Sequence, residues 1–320
     1  MCGPTRRPHS RTASPKTSPS GARSSSKTES NLTEYYTNPP APPPAGAAAL
    51  LRVFVDTSAA RAGGNPVPLV LDARGMSDAA MQALAAQHGH ESAFVLPPDA
   101  PDTLCRLRFF VPGHEMEMCG HATVGSLWAL RQWGRWTTQR TRVQTLSGSV
   151  DAEWDEARGG AWISQPAVSL APLPQAHCEA IAQVLGIDAA HAAVNASTSR
   201  VKTLLRMPDA EALDALTPDF GAMRALCERI GSTGLYPYAV SADGVFARQF
   251  PKASGYPEDA ATGIAAAALW GYLDSVGDIP AGAICTVYQG RAMGSPSAIH
   301  LRRRADAPGC WLSGETQWMA

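Results

Sequence analysis

Charged side chains make up only 17% of this 320-residue chain, and no apolar run approaches the roughly 20 residues that a membrane-spanning helix needs. The composition therefore predicts a globular protein with no membrane partner. Cys-x-x-Cys, His-Glu-x-x-His and His-x-x-x-His spacings are absent, and His114, Cys119 and His121, though close in sequence, do not complete a tetrahedral set. No metal ligand is assigned on this basis. A glycine-rich loop of the Gly-x-Gly-x-x-Gly or phosphate-loop kind is also lacking, which disfavours nucleotide cofactors. Seven cysteines in an odd, unpatterned set, Cys2, Cys105, Cys119, Cys178, Cys227, Cys285 and Cys310, do not make a disulfide framework and suit a reducing, cytoplasmic setting. An excess of cations is missing as well. Six of the 27 Lys and Arg and two of the 28 Asp and Glu lie in residues 1–46, leaving 21 cations against 26 anions beyond, which argues against a nucleic-acid partner.

Residues 1–46 alternate Ser, Thr, Pro and Arg, lack the apolar core of a secretory signal, and are expected to form a disordered tail. Structure is expected to begin near Leu50. Leu51–Val55 and Val67–Leu71 read as strands flanking the turn Gly63-Gly64-Asn65-Pro66, and Ser77 as the cap of a helix stopped by Gly89. Ala93–Leu96 and Cys105–Val111 read as strands, and a helix follows Gly120 and ends near Gly134. The grammar then repeats: helices around Ala180–Leu185 and Pro218–Ile230, and strands at Val201–Leu205, Leu235–Val240, Val245–Phe250, Ile284–Tyr288 and Ala298–Leu301. After Phe250, Gly263 opens Ile264–Leu273, a helix apolar all round and so destined for the interior, and the strands Ile284–Tyr288 and Ala298–Leu301 are expected to close the chain.

Two loops of small residues, at Gly120–Ala122 and Gly263–Ala265, thus each open a buried helix and offer unpaired backbone N–H groups at its positive end. If the two halves face each other, a small carboxylate can be held between them; read singly, each glycine needs no more than close helix packing to explain it. Around that place stand Glu91, Cys119, His121, Glu258 and Asp259, all able to move a proton. Glu91, at the head of an apolar strand, is a base if desolvated and a plain loop carboxylate if not. Cys119 is an activated thiolate or an inert thiol, His121 a proton carrier or a capping or packing histidine, and Asp259 a proton carrier or a helix cap.

With these residues in place, Gly64-Asn65-Pro66, Gly75-Met76-Ser77, Glu91-Ser92-Ala93-Phe94-Val95, Cys119-Gly120-His121-Ala122-Thr123, Thr233-Gly234-Leu235-Tyr236 and Glu258-Asp259-Ala260-Ala261-Thr262-Gly263 resemble, in order and spacing, the PhzF-like phenazine-biosynthesis family over about residues 50–315. The resemblance implies an α+β, diaminopimelate-epimerase-like fold: two similar lobes, here 47–170 and 171–320, each a mixed sheet curled round a central helix. It also implies a cofactor-free and metal-free cleft. The catalytic residues implied are Glu91, His121 and Asp259, and the substrate-binding ones Asn65, Cys119, Gly120, Ala122, Thr262, Gly263 and Ile264. Ser92 replaces the family's Thr, Ala260 its Pro, and Ile264 a Ser that contacts substrate. Related racemases use two cysteines; Cys119 matches one, Ala260 stands at the other, and a two-thiol mechanism is excluded on this mapping. The expected activity is proton transfer within a small carboxylate-bearing substrate by Glu general acid and base catalysis, in a cytoplasmic isomerase for which a homodimer is left open. The alternatives are a Cys119-dependent epimerase or dehydratase of an amino or imino acid, and a silent small-molecule binding protein on the same scaffold.

Overall fold

The structure, a computed structural model, describes residues 39–59, 63–190, 192–280 and 282–319. The expected tail falls outside the described residues as far as Asn38. Its last stretch, expected to be part of that tail, has a defined path: the Pro40 carbonyl accepts from the Trp133 indole at 2.9 Å, and the Gly46 N–H donates to Asp72.

Six helices are present among these residues: α1 (Asp78–His88), α2 (Gly120–Gln132), α3 (Gln175–Leu185), α4 (Ala210–Asp214), α5 (Phe220–Arg229) and α6 (Gly263–Ser275). Eighteen strands among the same residues join in one hydrogen-bonded system. Strands Ala48–Val55, Asn65–Val70, Ser92–Leu96 and Gly160–Gln165 wrap α2; Ala193–Ser197, Lys202–Arg206, Ser297–Arg303 and Cys310–Ser313 wrap α6. Asn65–Val70 runs parallel to Ser92–Leu96 and Lys202–Arg206 parallel to Gly234–Ser241, while hairpin neighbours are antiparallel, so the sheets are mixed and the class is α+β. Burial explains the two central helices. Every residue from Gly120 to Leu130 is buried, and Ala265, Ala266, Ala267 and Ala268 are at most 1% exposed, so the sheet closes on α6 without bulky side chains between.

Local signals were legible. Ser77 Oγ accepts from the Ala80 N–H, and Gly89 ends α1 with φ 69°, a left-handed conformation that glycine adopts without penalty. The entry hairpin pairs Ala48 with Val70 through Val53 with Asn65. The end of the chain differs from expectation. Ala298–Leu301 does not close it: Cys310–Ser313 pairs with Gly160–Gln165, and Glu315–Trp318 pairs with the opening strand, Leu51 facing Trp318. The Trp318 ring, 7% exposed, sits 5.1 Å from that of Trp128 and 4.8 Å from that of Trp133. The strand expected over Val245–Phe250 is also broken. Gly244–Ala247 ends where Arg248 turns its guanidinium inward to Glu258 and to the carbonyls of Leu213, Asp214 and Leu216; Gln249 then bridges to Asp259, and a strand resumes at Phe250–Pro251.

Candidate active site

The two central helices meet end to end. A Cβ built on Gly120 would lie 3.8 Å from the Cα of Gly263, an ordinary contact, but 3.2 Å from Leu312 Cδ2, and one on Gly263 would lie 3.0 Å from that same atom, so Leu312 crowds both openings. Side chains close α1, α4 and α5 (Ser77, Asp209 and Asp219), whereas the caps of α2 and α6, Cys119 and Thr262, make no side-chain cap bond. Their opening N–H groups are thus left for another acceptor. Beneath them lies Phe54, fully buried, with φ 64° at a bulge between Val53 and Val55; its ring would stand 3.4 Å from a Cβ on Gly263 and is 6.5 Å from that of His121. A non-glycine residue held in the left-handed region persists where its surroundings over-determine it, often next to a functional site.

Gly89 delivers the chain from α1 into Ser92–Leu96 and so sets Glu91 at the rim, its side chain 26% exposed. The Cys119 thiol donates to Glu91 Oε2 at 3.1 Å, His121 Nε2 is 3.4 Å from the same oxygen, and Cys119 Sγ is 3.3 Å from His121 Nδ1. Burial, then the Glu91 charge, hold the thiol well above its ordinary pKa, opposed by the backbone of Ala122. Cys119 is therefore a neutral thiol. The donor atoms of Glu91, Cys119 and His121 lie within 4.8 Å of one another, close enough to share a metal ion, but the protonated thiol uses Glu91 as its acceptor and the group reads as a proton-sharing cluster. His114 stands apart, exposed at the start of the short strand His114–Met116.

Asp259 stands half-buried across the cavity. Its Oδ1 accepts from Asn65 Nδ2 at 2.8 Å and its Oδ2 from Thr262 Oγ1 at 2.5 Å. Desolvation raises its pKa first, the Glu91 charge raises it further, and the bonds from Thr262 and Asn65 oppose both. Asp259 is not the cap of α6, because these partners occupy both of its oxygens. Gln289 clamps the loop, donating to the Asp259 carbonyl at 2.7 Å and accepting from Tyr236 Oη at 2.9 Å.

The cavity, about 70 Å³, is lined by Glu91, Cys119, Gly120, His121, Asp259, Thr262, Gly263 and Ile264 of the residues expected from sequence. Asn65 and Ala122 do not line it: Asn65 spends its amide on Asp259 and on the Ala261 carbonyl, also at 2.8 Å, and Ala122 is fully buried in the first turn of α2. Glu258, read as a proton carrier, is instead in a bidentate pair with Arg248, both side chains 9% exposed. Further lining residues, among them Arg200, Lys202, Gln249 and Tyr256, were missed. For Lys202 a signal existed: alternation along Val201-Lys202-Thr203-Leu204 sets it on the face of buried Leu204, where a lysine is out of place. A larger cleft of about 410 Å³ beside Arg106 and Arg108 gathers no comparable acid and base, and both arginines there are paired, with Asp99 and with Glu115 and Asp78.

Residues 53–315 match the family model of phenazine biosynthesis-like proteins, PhzC-PhzF. An uncharacterized isomerase of Deinococcus radiodurans is 34% identical over 254 residues, covering 74% of this chain and 81% of that protein. In fold, the chain is similar to a PhzF-family phenazine biosynthesis protein of Bacillus anthracis, with a TM-score of 0.73, 23% identity, and coverage of 85% of this chain and 96% of that one. A probable proline racemase of Agrobacterium radiobacter superimposes with a TM-score of 0.59 at 10% identity, over 85% of this chain and 91% of the other, which identifies the fold as diaminopimelate-epimerase-like. With the motif residues gathered at one cavity and the match running over nearly all of the described chain, the protein belongs to the phenazine biosynthesis-like family and is an isomerase.

Proposed function

We propose that this isomerase moves a proton between two carbon atoms of a small carboxylate-bearing substrate, with Glu91 as the base that takes the proton from carbon. The observation that carries the reading is a pair of carboxyl groups in one cavity, where burial and the Glu91 charge push Asp259 toward its protonated form. Two such groups held apart in proton affinity can serve as base and acid at the same pH. The substrate carboxylate would accept from the free N–H groups at Gly120, His121, Gly263 and Ile264. Their partial positive charge draws electron density from the carboxylate and stabilises the carbanion-like state formed when the adjacent C–H ionises. Asp259, or Glu91 once protonated, then delivers a proton to the second carbon, while His121 hydrogen-bonds a substrate heteroatom. A thiol kept protonated speaks against a Cys119 nucleophile or base, since the thiolate is the reactive form. The six described cysteines, all free, suit a cytoplasmic protein; among the described residues no helix is long and apolar enough to cross a membrane.

The test is carbon-bound deuterium measured by mass spectrometry after incubating a panel of α,β- and β,γ-unsaturated carboxylic acids with the protein in deuterium oxide. Wild type should label at least one member, and Glu91→Gln should slow that labelling by about 100-fold or more while its circular dichroism stays unchanged. Equal labelling by the Gln variant would remove Glu91 from the role.

A further inference from the structure

One wall of the cavity holds two buried polar side chains that the proton shift leaves idle. Lys202 is 6% exposed and lines the cavity, and among the described residues its ammonium has no hydrogen-bond or ion-pair partner. Asp259 and Glu91 attract it from beyond ion-pair distance, and Arg200, on the same wall, repels it. Gln249 is 1% exposed, lines the same cavity, and has no partner for either its Nε2 or its Oε1. Buried polar groups in folded proteins are almost always paired, and an unpaired buried cation is costlier than an unpaired amide. Two idle groups on one wall point to a ligand that completes them.

Strand register brings the two together. Thr203 pairs with Leu235, and Gly234 with Pro251, so Lys202, Gly234 and Pro251 form one row across the sheet, with Tyr236 and Gln249 in the next row on the same face. A Cβ on Gly234 would fall 2.4 Å from Gln249 Nε2, so the glutamine amide occupies the space that glycine leaves on that face, next to Lys202 in the sheet. Glycine at 234 keeps this space open.

We propose that Lys202 and the Gln249 amide form a second anion subsite, and that the substrate is a diacid, one carboxylate held by the openings of α2 and α6 and the other by Lys202 and Gln249. This rests on the reading that the helix openings hold a carboxylate. The charge balance agrees: the wall carrying Lys202 and Arg200 is cationic, and the carboxyl groups of Glu91 and Asp259 stand apart from it. One anionic group of the substrate would face each side, which orients the reacting C–H toward Glu91. Lys202 is thus a substrate-binding residue.

The modest cavity sets the probes at malonate, succinate and glutarate, each compared by calorimetry with propionate, butyrate and valerate on wild type, Lys202→Met, Gln249→Leu and Glu91→Gln. At least one diacid should bind wild type 10-fold or more tightly than any of the monoacids. Lys202→Met should abolish that preference, Gln249→Leu should reduce it several-fold, and Glu91→Gln should keep it. Equal binding of diacids and monoacids by wild type, or a preference that survives in Lys202→Met and Gln249→Leu, overturns the diacid subsite and leaves the helix-opening reading standing. Binding of neither class overturns both.

Discussion

The side-chain amide of Asn65 donates to Asp259 Oδ1 at 2.8 Å, tying the turn after the first strand to the loop that opens α6, 194 residues later. The same nitrogen donates to the Ala261 carbonyl at 2.8 Å, so both amide hydrogens are used and Asn65 holds the acid in place without facing the cavity.

Replacing Asn65 by Leu should therefore act through Asp259. Two buried acceptors lose their donor, at a cost of about 1–3 kcal/mol in stability. The bond from Asn65 lowers the Asp259 pKa, so its loss should raise that pKa further. Urea denaturation and carbon-13 titration of the Asp259 carboxyl measure the two effects. An unchanged carboxyl titration would separate Asn65 from the acid.

Cys119 should resist alkylation. Burial and the adjacent Glu91 charge both hold the thiol protonated, and Glu91→Gln removes the second of these. Iodoacetamide should modify Cys119 slowly in wild type at pH 8 and faster in Glu91→Gln, as peptide mass mapping would show. Rapid modification of wild type would indicate a thiolate and restore the thiol-dependent mechanism.

Stability should rise in mildly alkaline solution because of Lys202. Burial is the first cause that lowers its pKa from 10.5 to about 8, with Arg200 adding to it and Asp259, Cys227 and Glu91 opposing. Between about pH 8 and 10.5 the unfolded chain binds the proton more tightly than the folded one, so the charged lysine destabilises the fold fully below pH 8. That penalty is relieved as pH climbs through the window, by about 3 kcal/mol in all. Wild type minus Lys202→Met, followed by urea denaturation from pH 7 to 10, isolates the effect. A flat difference would mean that Lys202 keeps its ordinary proton affinity.

Ile264 offers a backbone N–H at the opening of α6 while its side chain lines the cavity. A hydroxyl or amino substituent on the substrate that meets this side chain loses a hydrogen bond, worth about 1–3 kcal/mol. Ile264→Ser should improve kcat/KM on hydroxylated or aminated acids relative to unsubstituted ones. A ratio no higher than that of wild type would show that such substituents do not meet residue 264.

Much of the fold was legible because its signals are local. Ser77 and Gly89 bound a helix by their own backbone and capping chemistry, and the glycine-opened, uncharged run from Gly263 identifies a buried helix from composition. The strands after Arg303 were not, because Cys310–Ser313 and Glu315–Trp318 acquire their pairing from partners near residues 163 and 51. Contiguous sequence carries no record of such distant partners.

The candidate site divides along the same line. The sequence by itself determined which groups can do the chemistry: Glu91 after a helix stop, His121 and Cys119 at one helix opening, and Asp259 at the other. Only the tertiary structure decided what each of them does. Asp259 is turned into an acid by burial and by the Glu91 charge, and Asn65 and Glu258 become fastenings when partners far along the chain take up their polar atoms. Lys202 and Gln249 become idle cavity groups because strand register, set by which face of each strand is buried, points both away from water. Proton affinity and hydrogen-bond satisfaction depend on solvent exclusion and on distances across the fold, and these do not exist until the sheets have closed round their helices.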